Sequence, residues 1–186
     1  MNPIRNKKDL EQSVEEIRKY AYSYLEKYSA SKQQLRIYLF KKFIRKNEKI
    51  YNKRELFDLI DTVILTLEDQ KLLNDKYYSD SRSKSLLRRG YSLNKIRYSL
   101  IKKGIDEKYI KSSISKIKEN ETDPDFFSAI KICRKRRIGP CREEGNRALF
   151  YKKDISILAR SGFSYEISKK ILDIPRDEFK KLCKMI

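Results

Sequence analysis

The sequence predicts an all-α fold of three tandem three-helix modules in an elongated, curved array, and three observations lead there. Apolar residues recur at three- and four-residue steps along nearly the whole chain, with no sustained period-two alternation that would mark a strand. Breakers are scarce: 5 glycines and 4 prolines in 186 residues leave the helical periods uninterrupted for long stretches. One pattern also occurs twice, since Ser31-x-x-x-Leu35-Arg36-x-x-Leu39-x-x-Lys42 aligns with Ser92-x-x-x-Ile96-Arg97-x-x-Leu100-x-x-Lys103.

The elements follow in order. After a tail over 1–8, Leu10, Val14, Ile17, Tyr20, Tyr24, Leu25 and Tyr28 carry the first helix, with Ser13-Val14-Glu15-Glu16 as a capping box near its start. Ser31-Lys32-Gln33-Gln34 is a second capping box and opens a helix with Leu35, Leu39, Phe40 and Phe43 on one side. A third opens near Asn52 and shows Leu56, Leu59, Ile60, Val63, Ile64 and Leu67, completing a module over 9–72. The second module, 73–120, takes helices from Asp75 to Arg89, from Ser92 to Lys103 and from Asp106 onward, punctuated by Gly90 and Gly104. The third, 123–175, begins with Asp123 as cap and Pro124 at the first helical position and runs helical to about Arg137. It then breaks across Gly139-Pro140 and Gly145, an irregular connection over 138–151, before helices at 152–160 and 165–172; a C-terminal helix occupies 176–186. Gly162-Phe163-Ser164 reads as a looser copy of Gly90-Tyr91-Ser92.

Charge points to the partner. Lys and Arg number 45 against 26 Asp and Glu, a formal net charge of +19. Self-repulsion on this scale destabilises a compact chain unless a polyanion neutralises it, so a nucleic-acid-bearing partner is expected. No apolar stretch reaches membrane-span length and the N-terminus lacks a signal-peptide core, so a cytoplasmic protein without a membrane partner is expected. Cys133, Cys141 and Cys183 have neither disulfide-framework nor metal spacing and read as small buried hydrophobes.

The same inventory argues against an enzyme. Histidine is absent, which removes the commonest general base and metal ligand. Glu68, Asp69 and Asp75 are the nearest thing to a carboxylate metal cluster, and their positions suit a helix end followed by a helix cap. Asp123 and Asp125 near Lys131 match a nuclease signature only in residue type, because that chemistry is built on strands and this segment is helical. With no glycine-rich phosphate loop either, the expectation is no catalytic residues, no metal and no cofactor.

Four stretches carry a resemblance. Tyr24-Leu25-Glu26 leads into Ser31 and Gln34-Leu35-Arg36; Leu72-Leu73-Asn74-Asp75 precedes Tyr77-Tyr78-Ser79; Arg89-Gly90-Tyr91-Ser92 precedes Ile96; and Ala159-Arg160-Ser161-Gly162-Phe163-Ser164 follows late in the chain. In order, spacing and helical plan these resemble the RecX proteins, which regulate the RecA recombinase. The longer, broken region from Arg134 to Arg142 departs from the compact family pattern. The resemblance implies a monomer that lodges in the groove of a RecA filament on DNA and mainly inhibits it. Filament growth, strand exchange, ATP hydrolysis and co-protease cleavage of repressors in the SOS response would all be limited, and with them DNA repair by recombination. The alternative is a stand-alone basic DNA-binding or architectural protein reading a groove through the 92–103 helix, with Asn94, Lys95 and Lys102 outward.

Three basic groups are the expected contacts with RecA or with DNA, which the chain is also expected to bind weakly by itself, single- or double-stranded: Arg88, Arg89, Lys95, Lys102 and Lys103; Arg134, Lys135, Arg136, Arg137 and Arg142; and Lys152, Lys153 and Arg160. Tyr77, Tyr78 and Tyr91 stand beside charges where a ring could stack on a partner or fill a core. The repeat arginines Arg36 and Arg97 fall inside apolar arcs on a helical wheel, Arg36 between Phe43 and Phe40 and Arg97 between Leu93 and Ile101. A guanidinium there keeps its charge and needs acceptors on a neighbouring helix.

Overall fold

The structure, a computed structural model, describes residues 7–46 and 53–185, with side chains over 13–45 and 53–185. Among the described residues all regular structure is helical, ten α-helices and one short 3-10 turn, as the periodicity predicts. The tail up to Asn6, the Leu10 side chain, the helix start expected at Asn52 and the terminal Ile186 lie outside the described residues. The chain divides into two compact units: unit 1 is Met1–Tyr78 with Lys103–Ile105, and unit 2 is Ser79–Lys102 with Asp106–Ile186.

Unit 1 is built on α1 (Lys7–Leu25), α2 (Lys32–Lys46) and α3 (Lys53–Asp69). Each presents one apolar stripe, and the stripes meet: Ile17 and Ala21 from α1, Leu35, Leu39 and Phe43 from α2, and Leu56, Ile60, Val63, Ile64 and Leu67 from α3 form one buried cluster with Leu73. Rings close its border, with Phe40 stacked on Phe57 at 4.3 Å, Tyr24 on Tyr38 at 4.2 Å and Tyr28 tilted against Tyr24 at 5.0 Å. The Ser31 box is formed in both directions: Gln34 N–H donates to Ser31 Oγ at 3.2 Å and Ser31 N–H to Gln34 Oε1 at 3.4 Å. The Ser13 box is not a cap. Ser13 sits inside α1, which already begins at Lys7.

Unit 2 holds most of α4 (Asp75–Arg88), then α5 (Leu93–Ile101), α6 (Glu107–Asn120), α7 (Pro124–Arg136), a 3-10 turn at Gly139–Cys141, α8 (Glu144–Arg160), α9 (Tyr165–Leu172) and α10 (Arg176–Cys183). Ser92 and Asp106 cap α5 and α6 as the sequence suggests. Asp123 accepts from Phe126 N–H at 3.2 Å at the start of α7, whose first residue is Pro124. The α4–α6 seam is polar: Ser79 and Ser113 hydroxyls meet at 2.8 Å, and Asp80 accepts from Ser113 and from Lys116 Nζ, both at 2.6 Å. The second large core gathers Ala129, Ile130, Ile132, Cys133, Ile138, Leu158, Phe163, Ile171, Leu172, Ile174 and Phe179.

The connection expected to be irregular over 138–151 is shorter. Helix α8 begins at Glu144 and takes Gly145 into its first turn. One glycine costs a helix only about 1 kcal/mol, and Glu143 and Glu144 sit where the helix dipole favours acids. The break proper is held by Asp154, a buried carboxylate of α8 that accepts from Gly139 N–H at 2.8 Å and from Nε and Nη2 of Arg142 at 2.7 and 2.8 Å.

One contact pair recurs. In unit 1, Asp75 Oδ1 accepts from Lys32 N–H at 2.9 Å, at the first residue of α2; in unit 2, Asp125 Oδ1 accepts from Leu93 N–H at 2.7 Å, at the first residue of α5. Beside these amides lie glycines at positive φ. A Cβ on Gly104 (φ +71°) would come within 2.5 Å of Gln33 Cβ, and one on Gly162 (φ +94°) within 2.7 Å of Lys95 Cβ. Gly162-Phe163-Ser164 therefore matches Gly104-Ile105-Asp106, each a left-handed glycine, a buried apolar residue and a helix cap. The expected match to Gly90-Tyr91-Ser92 holds in backbone and cap, with Gly90 at φ +85° and Ser92 accepting from the amide three residues on as Ser164 does, but Gly90 faces Ser128, Lys131 and Ile132 in mid-α7 and no helix start.

Candidate nucleic-acid and partner interface

Twelve of the thirteen expected contact residues belong to unit 2, the exception being Lys103 in unit 1. Arg88 ends α4 and Arg89 follows it, both exposed, as is Lys102 at the end of α5, whose Nζ lies 5.2 Å from the Tyr98 ring centre. Lys95 is half-buried against Gly162. Lys103 is half-buried too, and its carbonyl accepts from Ser31 Oγ at 2.5 Å. Lys152, Lys153 and Arg160 are exposed on α8.

The densest group closes α7. Arg134, Lys135 and Arg136 fill its last turn and Arg137 caps it at φ +53°, a helix C-terminus where cations are favoured. Arg134 Nη1 donates to the Cys183 carbonyl at 3.2 Å, tying down the end of α10. Lys135, Arg136 and Arg137 are exposed and no carboxylate of the described residues pairs with them. Arg142 differs from the rest: its side chain is 20% exposed against 1% for Asp154, with the guanidinium over the Phe150 ring at 4.5 Å. Its Nε/Nη2 edge is taken by Asp154 within the fold.

The repeat arginines reach different environments. Arg36 grips Asp61 of α3 with Nε and Nη2, each at 2.6 Å, and lies 4.6 Å from the Phe57 ring centre. Arg97 donates to Glu107 of α6 at 2.8 Å through Nη2, and it is exposed together with Tyr98 and Ile101. The Leu93–Arg97–Ile101 arc is therefore the open side of α5, whose core side is Ile96 and Leu100, in contrast to the arc expected from the wheel.

No three-residue group of His, Cys, Asp or Glu able to hold a metal exists among the described residues. Glu68 pairs with Lys32 at 2.8 Å, and Asp75 is not the cap of α4 that its position suggests: Asn74 takes that place, accepting from Tyr77 N–H at 2.9 Å, while Asp75 accepts from Lys32 N–H at the start of α2. The three cysteines are free; Cys133 is buried and its thiol is pushed far up by burial, with Cys141 and Cys183 half-buried beside the same core and also pushed up by burial. No described helix is long and apolar enough to cross a membrane. Sequence reasoning missed two cavities. One of about 480 Å³ lies between α4 and α6, with the partnerless Ser83 hydroxyl on its wall. The other, of about 390 Å³, lies in unit 1 among Tyr28, Leu72, Tyr77 and Tyr78. Of that wall, Tyr77 and Tyr78 are signalled in the sequence by their neighbouring charges.

No family model matches the sequence. Regulatory protein RecX of Myxococcus xanthus (strain DK1622) is 31% identical over 156 residues, 82% of this chain and 82% of that protein. Regulatory protein RecX of Clostridium botulinum (strain Eklund 17B) is 32% identical over 116 residues and that of Clostridium perfringens (strain SM101) 28% over 115, each match covering 62% of this chain. The matched stretch spans 52%, about half, of each clostridial relative. The crystal structure of RecX from Lactobacillus salivarius shares the fold, with a TM-score of 0.58 at 20% identity over 94% of this chain and 99% of that one. A second RecX crystal structure gives 0.55 over 92% and 80%. With the helical architecture in common and a relative 31% identical across four fifths of both sequences, the chain belongs to the RecX family of regulatory proteins.

Proposed function

We propose that this protein regulates the RecA recombinase by binding the RecA filament on DNA, mainly as an inhibitor. Bound there as a monomer in the cytoplasm, it limits filament growth, strand exchange, ATP hydrolysis and co-protease activity. Family membership supports RecA as the target. The observation that carries the DNA-facing half of the reading is the run Lys135, Arg136 and Arg137, cations at a helix end with no carboxylate of the described residues to neutralise them. Arg88, Arg89, Lys102, Lys152, Lys153 and Arg160 extend that exposed charge, while Arg142 is held by Asp154. The recurring Asp–amide and glycine contacts support the reading as tandem three-helix modules, near 9–72, 73–120 and 123–175.

Titration of the protein into RecA on single-stranded DNA tests this. DNA-stimulated ATP hydrolysis and strand exchange should fall stoichiometrically, without metal, nucleotide or turnover by the added protein; unchanged RecA activity at excess protein would sink the proposal, and a DNA product formed by the protein alone would sink its non-enzymatic character. In the absence of RecA, binding to DNA should be weak and fall steeply with salt. Replacing Lys135, Arg136 and Arg137 by Ala should lower the slope of log K against log salt by about 2 to 3, close to one for each phosphate no longer neutralised. Tight RecA-independent binding would favour the stand-alone DNA-binding reading instead.

A further inference from the structure

The 390 Å³ cavity of unit 1 lies outside the basic groups above, and its chemistry is different. Three segments build it: the end of α1 and the turn after it supply Leu25, Tyr28, Ser29 and Ala30; the turn after α3 supplies Lys71 and Leu72; the start of α4 supplies Asn74, Tyr77 and Tyr78. Three of the large apolar side chains most exposed on this chain converge here, Tyr28 at 57%, Leu72 at 53% and Tyr77 at 72%. Solvent-facing rings grouped at a concave site mark a contact surface.

The rings are held in place. Tyr28 leans on Tyr24, which stacks on Tyr38, so a row of rings fixes its position. The Tyr77 backbone is fixed by its N–H donating to Asn74 Oδ1 at 2.9 Å. That bond leaves the Asn74 amide nitrogen free to donate, and the Ser29 hydroxyl has no partner among the described residues. Lys71, exposed and held at φ +59°, puts the one cation on the wall, and the lining contains no carboxylate. A left-handed lysine is a backbone arrangement that non-glycine residues seldom adopt.

Two presented rings, two free donors and one ammonium with no opposing acid suit a flat group with a polar, acceptor-bearing edge joined to an anion. An aliphatic side chain would leave the Asn74 and Ser29 donors unmatched, and an acidic peptide would leave the rings unused. We infer that this cavity takes an unpaired base of single-stranded nucleic acid, the base against Tyr28 and Tyr77, its carbonyl edge toward Asn74 and its phosphate toward Lys71. The volume lies within the range of small-ligand sites, and base–aromatic stacking is tolerant of sequence. The inference rests on the reading that the chain meets DNA, and assigns that contact a second mode on a separate unit.

The test compares a fluorescently labelled oligothymidine with an abasic-backbone oligomer of equal length and charge, at matched salt. Wild-type protein should prefer the base-bearing strand by about tenfold. Tyr28→Ala/Tyr77→Ala should abolish that preference while leaving the salt slope unchanged and lowering the melting temperature only slightly, through the lost Tyr28–Tyr24 contact. Tyr28→Leu/Tyr77→Leu, which keeps apolar bulk without the flat face, should behave likewise and covers the case of a misfolded alanine variant. Equal affinity of the wild type for the two strands overturns the inference and leaves DNA binding standing; binding to neither overturns both. A preference that survives in the leucine variant, or a variant that keeps the preference but no longer inhibits RecA, makes the cavity a protein contact and also overturns it.

Discussion

Asp154 is the most heavily used carboxylate of unit 2. It is buried, and all three of its described contacts are donors within the fold: one amide and the two nitrogens of one guanidinium edge. Removing it leaves the Arg142 fork and the Gly139 N–H without acceptors, so Asp154→Ala should lower unfolding stability by about 2 to 4 kcal/mol, read as a shift in the urea midpoint. Arg36 and Arg97 give a graded comparison. The bidentate Arg36–Asp61 pair over Phe57 should lose about 1 to 2 kcal/mol on Arg36→Ala, whereas the single, exposed Arg97–Glu107 contact should lose under about 0.5 kcal/mol on Arg97→Ala; equal melting temperatures for the two variants would contradict this. The repeat makes both arginines visible in the sequence. It cannot reveal that they face differently, because Leu93 and Ile101 look like core on a wheel and the inner face of so short a helix is settled by its neighbours. Nor can it single out Arg142, whose acceptor lies 12 residues on, across a stretch that Gly139, Pro140 and Gly145 make look structureless.

At the scale of elements, the helix starts are the most legible feature. Ser31, Ser92, Asp106 and Asp123 are local signals and act locally, whereas the Asp75 and Asp125 contacts join segments 43 and 32 residues apart and leave no local trace. Burial, the larger effect, pushes both of these carboxyls above the ordinary value of 3.8 despite the amide each accepts from. A raised folded-state value means that the folded protein keeps a proton the unfolded chain has already released. Each therefore adds stability below 3.8 and loses it as pH rises through its folded value. Asp80 is the reverse case: burial pushes it up, but hydrogen bonds from Lys116 and Ser113 together hold it below 3.8, so its contribution is present above 3.8 and lost as pH falls through the depressed value. Asp125→Asn keeps an oxygen for the Leu93 amide and removes the buried charge. Relative to wild type, the variant should gain stability as pH rises from 3.8 through the raised folded value of Asp125, measured by urea unfolding at each pH; a constant difference would exclude the buried charge as the cause.

Across the whole molecule, a charge of +19 sits on two units with their own apolar cores, one of α1–α3 and one centred on α7–α10. Composition and periodicity make the helical class and the cationic surface readable, since both are sums over many residues. The cavities are unreadable because each needs distant segments brought together. The row Tyr28, Tyr24 and Tyr38 lies wholly in unit 1, and the chain has no tryptophan. Stacked phenols couple their electronic transitions, so this row should dominate the near-ultraviolet circular dichroism and turn unit 1 into its own spectroscopic reporter. Heating should then give a near-ultraviolet curve weighted toward unit 1, with a smaller share from Tyr91, Tyr98, Tyr109, Tyr151 and Tyr165 of unit 2, beside a far-ultraviolet curve that follows every helix. Separate midpoints would show the two units melting independently; Tyr24→Phe, by weakening the near-ultraviolet band while sparing the far-ultraviolet one, would verify that the row contributes to it.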